Sequence, residues 1–285
     1  MARNIGIVGA GLMGGEIALV FALAGHSVQL KDRDRPTLER CVARLRALME
    51  KGVSRGFYTQ GQIDPTLARI QLTLDFDRFV DCELVVEAVF ESLELKTQLL
   101  AQLDQVCDAG CIIASNTSTI PISTLAAAVA SGRRSQIIGT HYFSPVTRMA
   151  LVEVIAGFDT ADVTTQSVLT IMREIGKTPI CVKDVAGFAV NRMLHMFIIE
   201  AIKLVEEGVA TPEDLDTACR LGLGHPIGPF ALMDAVTSSL CLDAQEIMHE
   251  AYGERFRPPA LLKQRVGAGY SGGKGRQGWY PPKKD

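Results

Sequence analysis

The chain has 285 residues, of which 47% are hydrophobic and 21% charged, and its formal net charge is −3. That length suits two domains, or one large and one small, and can bury a sizeable core. Apart from the short Lys283-Lys284 tail there is no basic block, so neither a nucleic acid nor a membrane surface is an expected partner, and the longest apolar stretches (Ile17 to Ala24, Met196 to Ile199) fall far below a membrane span.

Met1-Ala2-Arg3-Asn4 leads directly into an apolar strand, Ile5–Val8, without the charged-plus-apolar pattern of a leader peptide. The strand feeds into Gly9-Ala10-Gly11-Leu12-Met13-Gly14 and then a helical run from Gly15 to Ala22. A dinucleotide site needs that order. Gly9 allows the tight turn, Gly11 lets the backbone approach a pyrophosphate, and Gly14 lets helix and strand pack closely, while the helix N-terminus offers N–H groups to phosphate. Gly-rich turns are common, so the motif is weak evidence by itself. The next strand, Val28–Leu30, strengthens it by ending near Asp32, about twenty residues past the glycines, where a carboxylate accepts from both ribose hydroxyls. An acid there favours NAD over NADP, because a 2′-phosphate would meet a like charge; Arg33 works against that preference.

The segment Pro36–Arg69 is longer than a crossover requires. It reads as a helix with Leu38, Val42, Leu45, Leu48 and Met49 at helical spacing, a break at 51–56, and a second short helix near Pro65–Arg69. Strands follow at Ile70–Thr73, Leu84–Glu87, Ile112–Ser115 and Ile137–His141, with a helix at Ser92–Val106; this alternation predicts a parallel sheet with crossover helices. Next come a strand over Met149–Ile155, a helix over Val163–Ile175 and a last strand over Thr178–Val182, placed at the sheet edge by Pro179. From Gly187 onward only helices and turns are read. Residues 188–202 are apolar on nearly every face, which predicts a helix buried all round, in a core or between subunits. The domain boundary is placed near Asp184–Gly187, giving domains 1–185 and 186–285. Seven cysteines form no paired spacing, since Cys107 ends a helix and Cys111 begins a strand; reduced, mostly buried thiols of a cytoplasmic protein are expected. No His/Cys/carboxylate cluster has metal spacing, so no metal is expected.

His141 stands at the carboxyl end of a parallel strand, where open α/β sheets place their sites. A neutral His there is a suitable base for removing a proton from a secondary alcohol while hydride leaves the same carbon. Glu153 lies in an otherwise apolar strand and needs a partner if buried. It either orients His141 or faces water on an edge strand, with His141 then a capping residue. Ser115-Asn116-Thr117-Ser118-Thr119 follows another strand end; its side chains can bind ribose, nicotinamide or a substrate carbonyl, or Ser118, Thr119 or Ser123 can cap the helix beginning near Ile122. Asn191 is either a satisfied core amide or a donor aimed into a cleft. His195 reads as structural. His26, His225 and His249 have no evident carboxylate partner, and Met13, Met149 and Met193 read as packing.

Together these segments resemble the 3-hydroxyacyl-CoA dehydrogenases of the compact, short-chain type over nearly the full length. The resemblance is carried by residues 9–14, Val86-Glu87-Ala88-Val89-Phe90-Glu91, residues 115–118, His141-Tyr142-Phe143-Ser144-Pro145-Val146, Leu151-Val152-Glu153-Val154, Gly187-Phe188-Ala189-Val190-Asn191-Arg192 and Gly224-His225-Pro226-Ile227-Gly228-Pro229-Phe230. It implies a Rossmann-type, doubly wound, mostly parallel α/β sheet with a helical hairpin insertion over 36–69 that binds acyl-CoA, followed by an all-α C-terminal domain that forms a homodimer. It implies His141 as general base, Glu153 as its orienting partner, and Ser118 and Asn191 as contacts to the substrate oxygen. Asp32, Glu87, Lys96 and Asn116 join the glycine turn as NAD contacts, and Lys51 and Arg55 are the basic residues left around the hairpin turn.

Departures from the family bear on substrate. Ser144 stands for an Asn, Arg148 for an apolar residue and Ala150 for a Lys; Glu50 and Val53 replace lysines, and Thr237-Ser238-Ser239 replaces Gly-Leu-Asp. Arg148 either meets a polar or carboxylate-bearing substrate or is a solvated rim residue. The implied reaction is reversible oxidation of an L-3-hydroxyacyl-CoA. Oxidation of a free 3-hydroxy acid or polyol acid on the same scaffold is the alternative, and a non-catalytic dinucleotide-binding protein is the third reading.

Overall fold

The computed structural model describes residues 2–282, so Met1 and the Lys283-Lys284 tail lie outside the described residues. The chain divides into two compact units, 1–185 and 186–285.

The first unit runs β1 (Asn4–Val8), α1 (Leu12–Leu23), β2 (Ser27–Lys31), α2 (Arg35–Val53), α3 (Ile63–Leu67), β3 (Ile70–Thr73), β4 (Leu84–Glu87), α4 (Leu93–Val106), β5 (Ile112–Ser115), α5 (Ile122–Ala126), β6 (Ile137–Tyr142), β7 (Leu151–Ala156), α6 (Asp162–Glu174) and β8 (Thr178–Lys183). These build one eight-stranded sheet in the order β3-β2-β1-β4-β5-β6-β7-β8. Only the β6–β7 pairing is antiparallel. Central strands covered on both faces carry continuous apolar runs, such as Ile5, Ile7 and Val8 in β1 and Leu84, Val85 and Val86 in β4. The direction of winding reverses between β1 and β4, and ligands of open α/β sheets bind beyond the strand ends at such a point. Pro179 does lie on an edge strand, where its missing N–H costs no ladder bond.

Helix α2 begins at an Asp34 cap, whose carboxylate accepts from the Thr37 N–H at 2.7 Å. Its buried stripe is Leu38, Cys41, Leu45, Met49 and Gly52, so Cys41 takes the place expected for Val42. The second helix of the insertion begins two residues earlier than predicted and has the same length. Helix α5 is not capped by Ser118 or Thr119. Its Ile122 and Ser123 N–H groups donate to the Asp184 carboxylate at 2.8 Å each, and the Ser123 hydroxyl joins them at 2.7 Å. A remote acid that satisfies the helix N-terminus also favours it electrostatically.

The second unit is helical: α7 (Val190–Glu206), α8 (Pro212–Gly222), α9 (Pro229–Val236), α10 (Ser238–Tyr252) and α11 (Ala260–Gly267). Helix α7 is not buried on every face. Ile198, Ile199, Ala201 and Ile202 lie in the core, whereas Met193 and Met196 point outward, because one helix on one compact unit buries one side. Met193, and in the first unit Met149 just before β7, are exposed and do not pack as expected, whereas Met13 does. His195 is buried, and desolvation pushes its pKa down to about 4, as suits a structural imidazole. His249 meets Glu254 at 3.4 Å on the surface, against expectation, and His225 packs edge-on to Phe197. Of the seven free thiols, Cys181 alone is exposed; Cys107 follows α4 and Cys111 precedes β5. Among the described residues no helix is long and apolar enough to cross a membrane, and no group of three or more His, Cys, Asp or Glu side chains could hold a metal ion.

Candidate active site

The glycine turn joins β1 to α1 beside the switch point. Gly9 has φ +106°, and a Cβ there would lie 2.6 Å from the Ala88 carbonyl oxygen. At Gly14 a Cβ would fall 1.8 Å from the Gly9 carbonyl, so the helix can start this close only without side chains. Gly11 faces open space and caps α1 without a side-chain bond, and Leu12 beside it is exposed. An open glycine rim and a helix start with no side-chain cap fit a pyrophosphate, whose charge the unpaired N–H groups would take. Asp32 follows β2 and braces the turn: one oxygen accepts from the Ala10 N–H at 2.6 Å and the other from the Arg33 N–H at 2.7 Å. Arg33 itself points to solvent, 3.3 Å from Asp34. From α2, Arg44 donates to the Gly11 carbonyl at 2.8 Å and the Ala10 carbonyl at 3.3 Å, a brace the sequence reading missed.

The strand register creates the acid–base pair. His141 on β6 lies directly opposite Glu153 on antiparallel β7. Its Nδ1 is 2.8 Å from Glu153 Oε2, and its Nε2 is 3.0 Å from Ser118 Oγ. Glu153 is 0% exposed and His141 5%, and β7 is an interior strand, so the edge-strand alternative for Glu153 is excluded. With the carboxylate ionised, Nδ1 carries the ring proton and Nε2 is left as an acceptor. Phe143 stands edge-on to the imidazole, with ring centroids 4.6 Å apart.

Glu87 and Lys96 take a different place from the one the resemblance implied. Both side chains are 0% exposed and pair at 2.7 Å. Glu87 also accepts from Ser115 Oγ at 2.6 Å and the Val89 N–H at 2.7 Å. Such buried charges satisfy one another within the first unit. Asn116 is half-buried; its Oδ1 accepts from the Tyr142 N–H at 2.9 Å, which ties the loop after β5 to the end of β6. The unassigned residue of this region is Glu91. Its carboxylate accepts from Thr117 Oγ1 at 2.5 Å, the Ser118 N–H at 2.9 Å, and Thr119 through N–H at 3.0 Å and Oγ1 at 2.9 Å, with Lys96 Nζ 3.4 Å away. Burial opposes its charge, but Lys96 and these donors outweigh burial and hold it below the usual carboxylate range. Glu91 thus fixes the loop that presents Ser118 to His141.

Lys51, in the last turn of α2, and Arg55, in the break after it, are exposed. Arg148 is exposed, as a rim residue would be, and its guanidinium lies 5.5 Å from the centre of the Phe57 ring, beside the turn of the insertion. Asn191, the second residue of α7, is half-buried in the second unit.

Residues 4–185 match the family model described as 3-hydroxyacyl-CoA dehydrogenase, NAD binding domain, and residues 187–281 match its C-terminal domain. A Deinococcus radiodurans protein named "Probable 3-hydroxybutyryl-CoA dehydrogenase" is 42% identical over 278 residues, covering 97% of this chain and 99% of that one. A Bacillus subtilis protein of the same name is 37% identical, covering 98% and 96%. The crystal structure of an (S)-3-hydroxybutyryl-CoA dehydrogenase from Ralstonia eutropha superposes with a TM-score of 0.94 at 38% identity, covering 100% of both chains. The eight-stranded sheet, the glycine turn and the two matched domains agree, and the chain belongs to the 3-hydroxyacyl-CoA dehydrogenase family.

Proposed function

We propose that this protein catalyses the reversible oxidation of a short-chain L-3-hydroxyacyl-CoA to the 3-ketoacyl-CoA, with His141 as general base and Glu153 as its orienting partner. The observation that carries this reading is the chain from half-buried Ser118 Oγ through His141 to buried Glu153, with links of 3.0 and 2.8 Å. Bound NAD supplies the hydride acceptor. His141 Nε2 takes the hydroxyl proton from the position that Ser118 Oγ marks, and Ser118 shares the hydrogen bond to that oxygen. Glu153 holds the ring in the tautomer whose Nε2 is an acceptor and stabilises the imidazolium that forms. In the reverse direction the same imidazolium returns the proton to the ketone oxygen. Gly9, Gly11, Leu12, Met13, Gly14 and Asp32 are assigned to the dinucleotide, and Asn116 to the wall beside it. Asn191 is assigned to the substrate oxygen on the strength of its motif. Lys51 and Arg55 are assigned to the anionic CoA moiety by charge alone. A homodimer through the helical domain is supported by the outward Met193 and Met196 of α7, and a reducing cytoplasmic compartment by the free thiols.

The test is NADH oxidation with acetoacetyl-CoA compared with free acetoacetate. Turnover of the thioester alone, abolished in His141→Gln while NADH fluorescence still titrates, is expected. Preference for the free acid would overturn the substrate reading, and an active His141→Gln would overturn the base.

A further inference from the structure

Helix α1 carries one acid in an otherwise apolar run, Glu16, which is only 4% exposed. Its Oε2 accepts from the Val146 N–H at 2.6 Å. The other end of that residue is held as well, since Lys177 Nζ donates to the Val146 carbonyl and, at 2.8 Å, to the Met149 carbonyl. Lys177 is also buried, and the Glu16 charge partly offsets the effect of that burial on the ammonium. Burying two charges to hold one stretch of backbone is costly, so a loop gripped this way is kept in one conformation.

The gripped loop runs from Phe143 to Ala150, directly after the base, and carries the departures Ser144, Arg148 and Ala150. It is fastened to the insertion too. The Thr147 side chain lies beside the Tyr58 hydroxyl, and the Arg148 guanidinium lies 5.5 Å from the centre of the Phe57 ring. Tyr58 lies so close to α2 that a Cβ on Gly52 would fall 2.3 Å from its ring. The dinucleotide helix, the loop and the insertion turn therefore meet around Val146.

We propose that Glu16 and Lys177 are positioning residues that hold this loop, and through Thr147 and Arg148 the turn of the insertion, in the conformation that receives the acyl-CoA; the substrate half of the proposal rests on the function proposed above. The His141–Glu153 pair sits on strands paired independently of this grip, so the device governs substrate binding rather than the chemical step. Glu16→Ala is expected to raise KM for acetoacetyl-CoA about ten-fold, with kcat within about three-fold and NADH binding within about two-fold of the parent. Glu16→Gln keeps an oxygen for the Val146 N–H and is expected to restore KM. Tyr58→Phe removes only one hydroxyl and is expected to raise KM about three-fold, which keeps the test open if Glu16→Ala does not fold. Hydrogen exchange over 143–149 is expected to speed up in Glu16→Ala and not in Glu16→Gln. An unchanged KM in both Glu16→Ala and Tyr58→Phe overturns the proposal, as does a loss confined to kcat or to NADH binding. If the parent does not turn over acetoacetyl-CoA, the functional reading fails by itself, and the exchange data still decide whether Glu16 holds the loop.

Discussion

Replacing Glu153 with Gln separates the charge of the orienting residue from its shape. The substitution is nearly isosteric, so the fully buried site keeps its packing, and the amide oxygen can still accept from His141 Nδ1 at a distance near the present 2.8 Å. What disappears is the negative charge that stabilises the imidazolium. A hydrogen bond to a charged group is worth roughly 1.5–3 kcal/mol. Because that worth is felt when the ring becomes cationic, the loss should fall on the barrier, lowering kcat roughly 10- to 150-fold. Stability should move the other way or hardly at all, since an ionised carboxylate no longer has to be buried; the unfolding free energy should stay within about 1 kcal/mol of the parent or rise. Steady-state reduction of acetoacetyl-CoA gives kcat, and urea unfolding gives the second number. A kcat within about two-fold of the parent would refute the claim that the charge of Glu153 assists proton transfer. An equally large fall in stability would assign Glu153 to the core instead.

Lys96→Met leaves Glu87 charged with its cationic partner gone, and should cost about 3–5 kcal/mol in urea unfolding; a loss under about 1 kcal/mol would show that the pair does not hold the wall behind the site. Burial holds the His195 imidazole down at about 4 in the folded unit, against about 6.5 for an ordinary histidine. The unfolded chain therefore binds the proton first. The stability contributed by burying a neutral ring is complete above about pH 6.5 and is lost as pH falls toward 4, by about 3 kcal/mol. Denaturation of the parent and His195→Gln at pH 7.5 and 4.5 checks this, and an identical pH slope in both would remove the assignment. Thiol titration of the native protein should find Cys181 fast and the buried thiols slow, with Cys82 and Cys241 each pushed up to about 12 by burial; rapid reaction of several thiols before unfolding would contradict the burial.

Periodicity and local motifs made the β/α alternation, the glycine turn and the candidate pairing of His141 with Glu153 readable in the sequence. Each depends on residues near one another in the chain or on a strand end, where the α/β topology is predictable. Other features depend on contacts made across long separations. The cap of α5 comes from Asp184, and the acid on Val146 comes from Glu16, 130 residues earlier. A lone Glu in an apolar helix was a visible signal, but its partner was a backbone amide, which no residue pattern announces. Glu87 and Lys96 were placed beside the cofactor by the resemblance alone, and their mutual pairing at full burial was not readable from the residues. The apolar length of α7 exceeds what one side of the unit buries, so within a single chain only part of its apolar surface is covered.

The base and its acid are joined by strand alignment, with His141 facing Glu153 and Tyr142 facing Val152. A slip of one residue would set His141 against a valine and turn Glu153 to the opposite face of the sheet. The pairing of base and acid is thus a property of the sheet register, while the segment strung between the two strands is held separately by Glu16 and Lys177. Substitutions from Ser144 to Ala150 leave that alignment untouched, because none of these residues takes part in the pairing of the two strands.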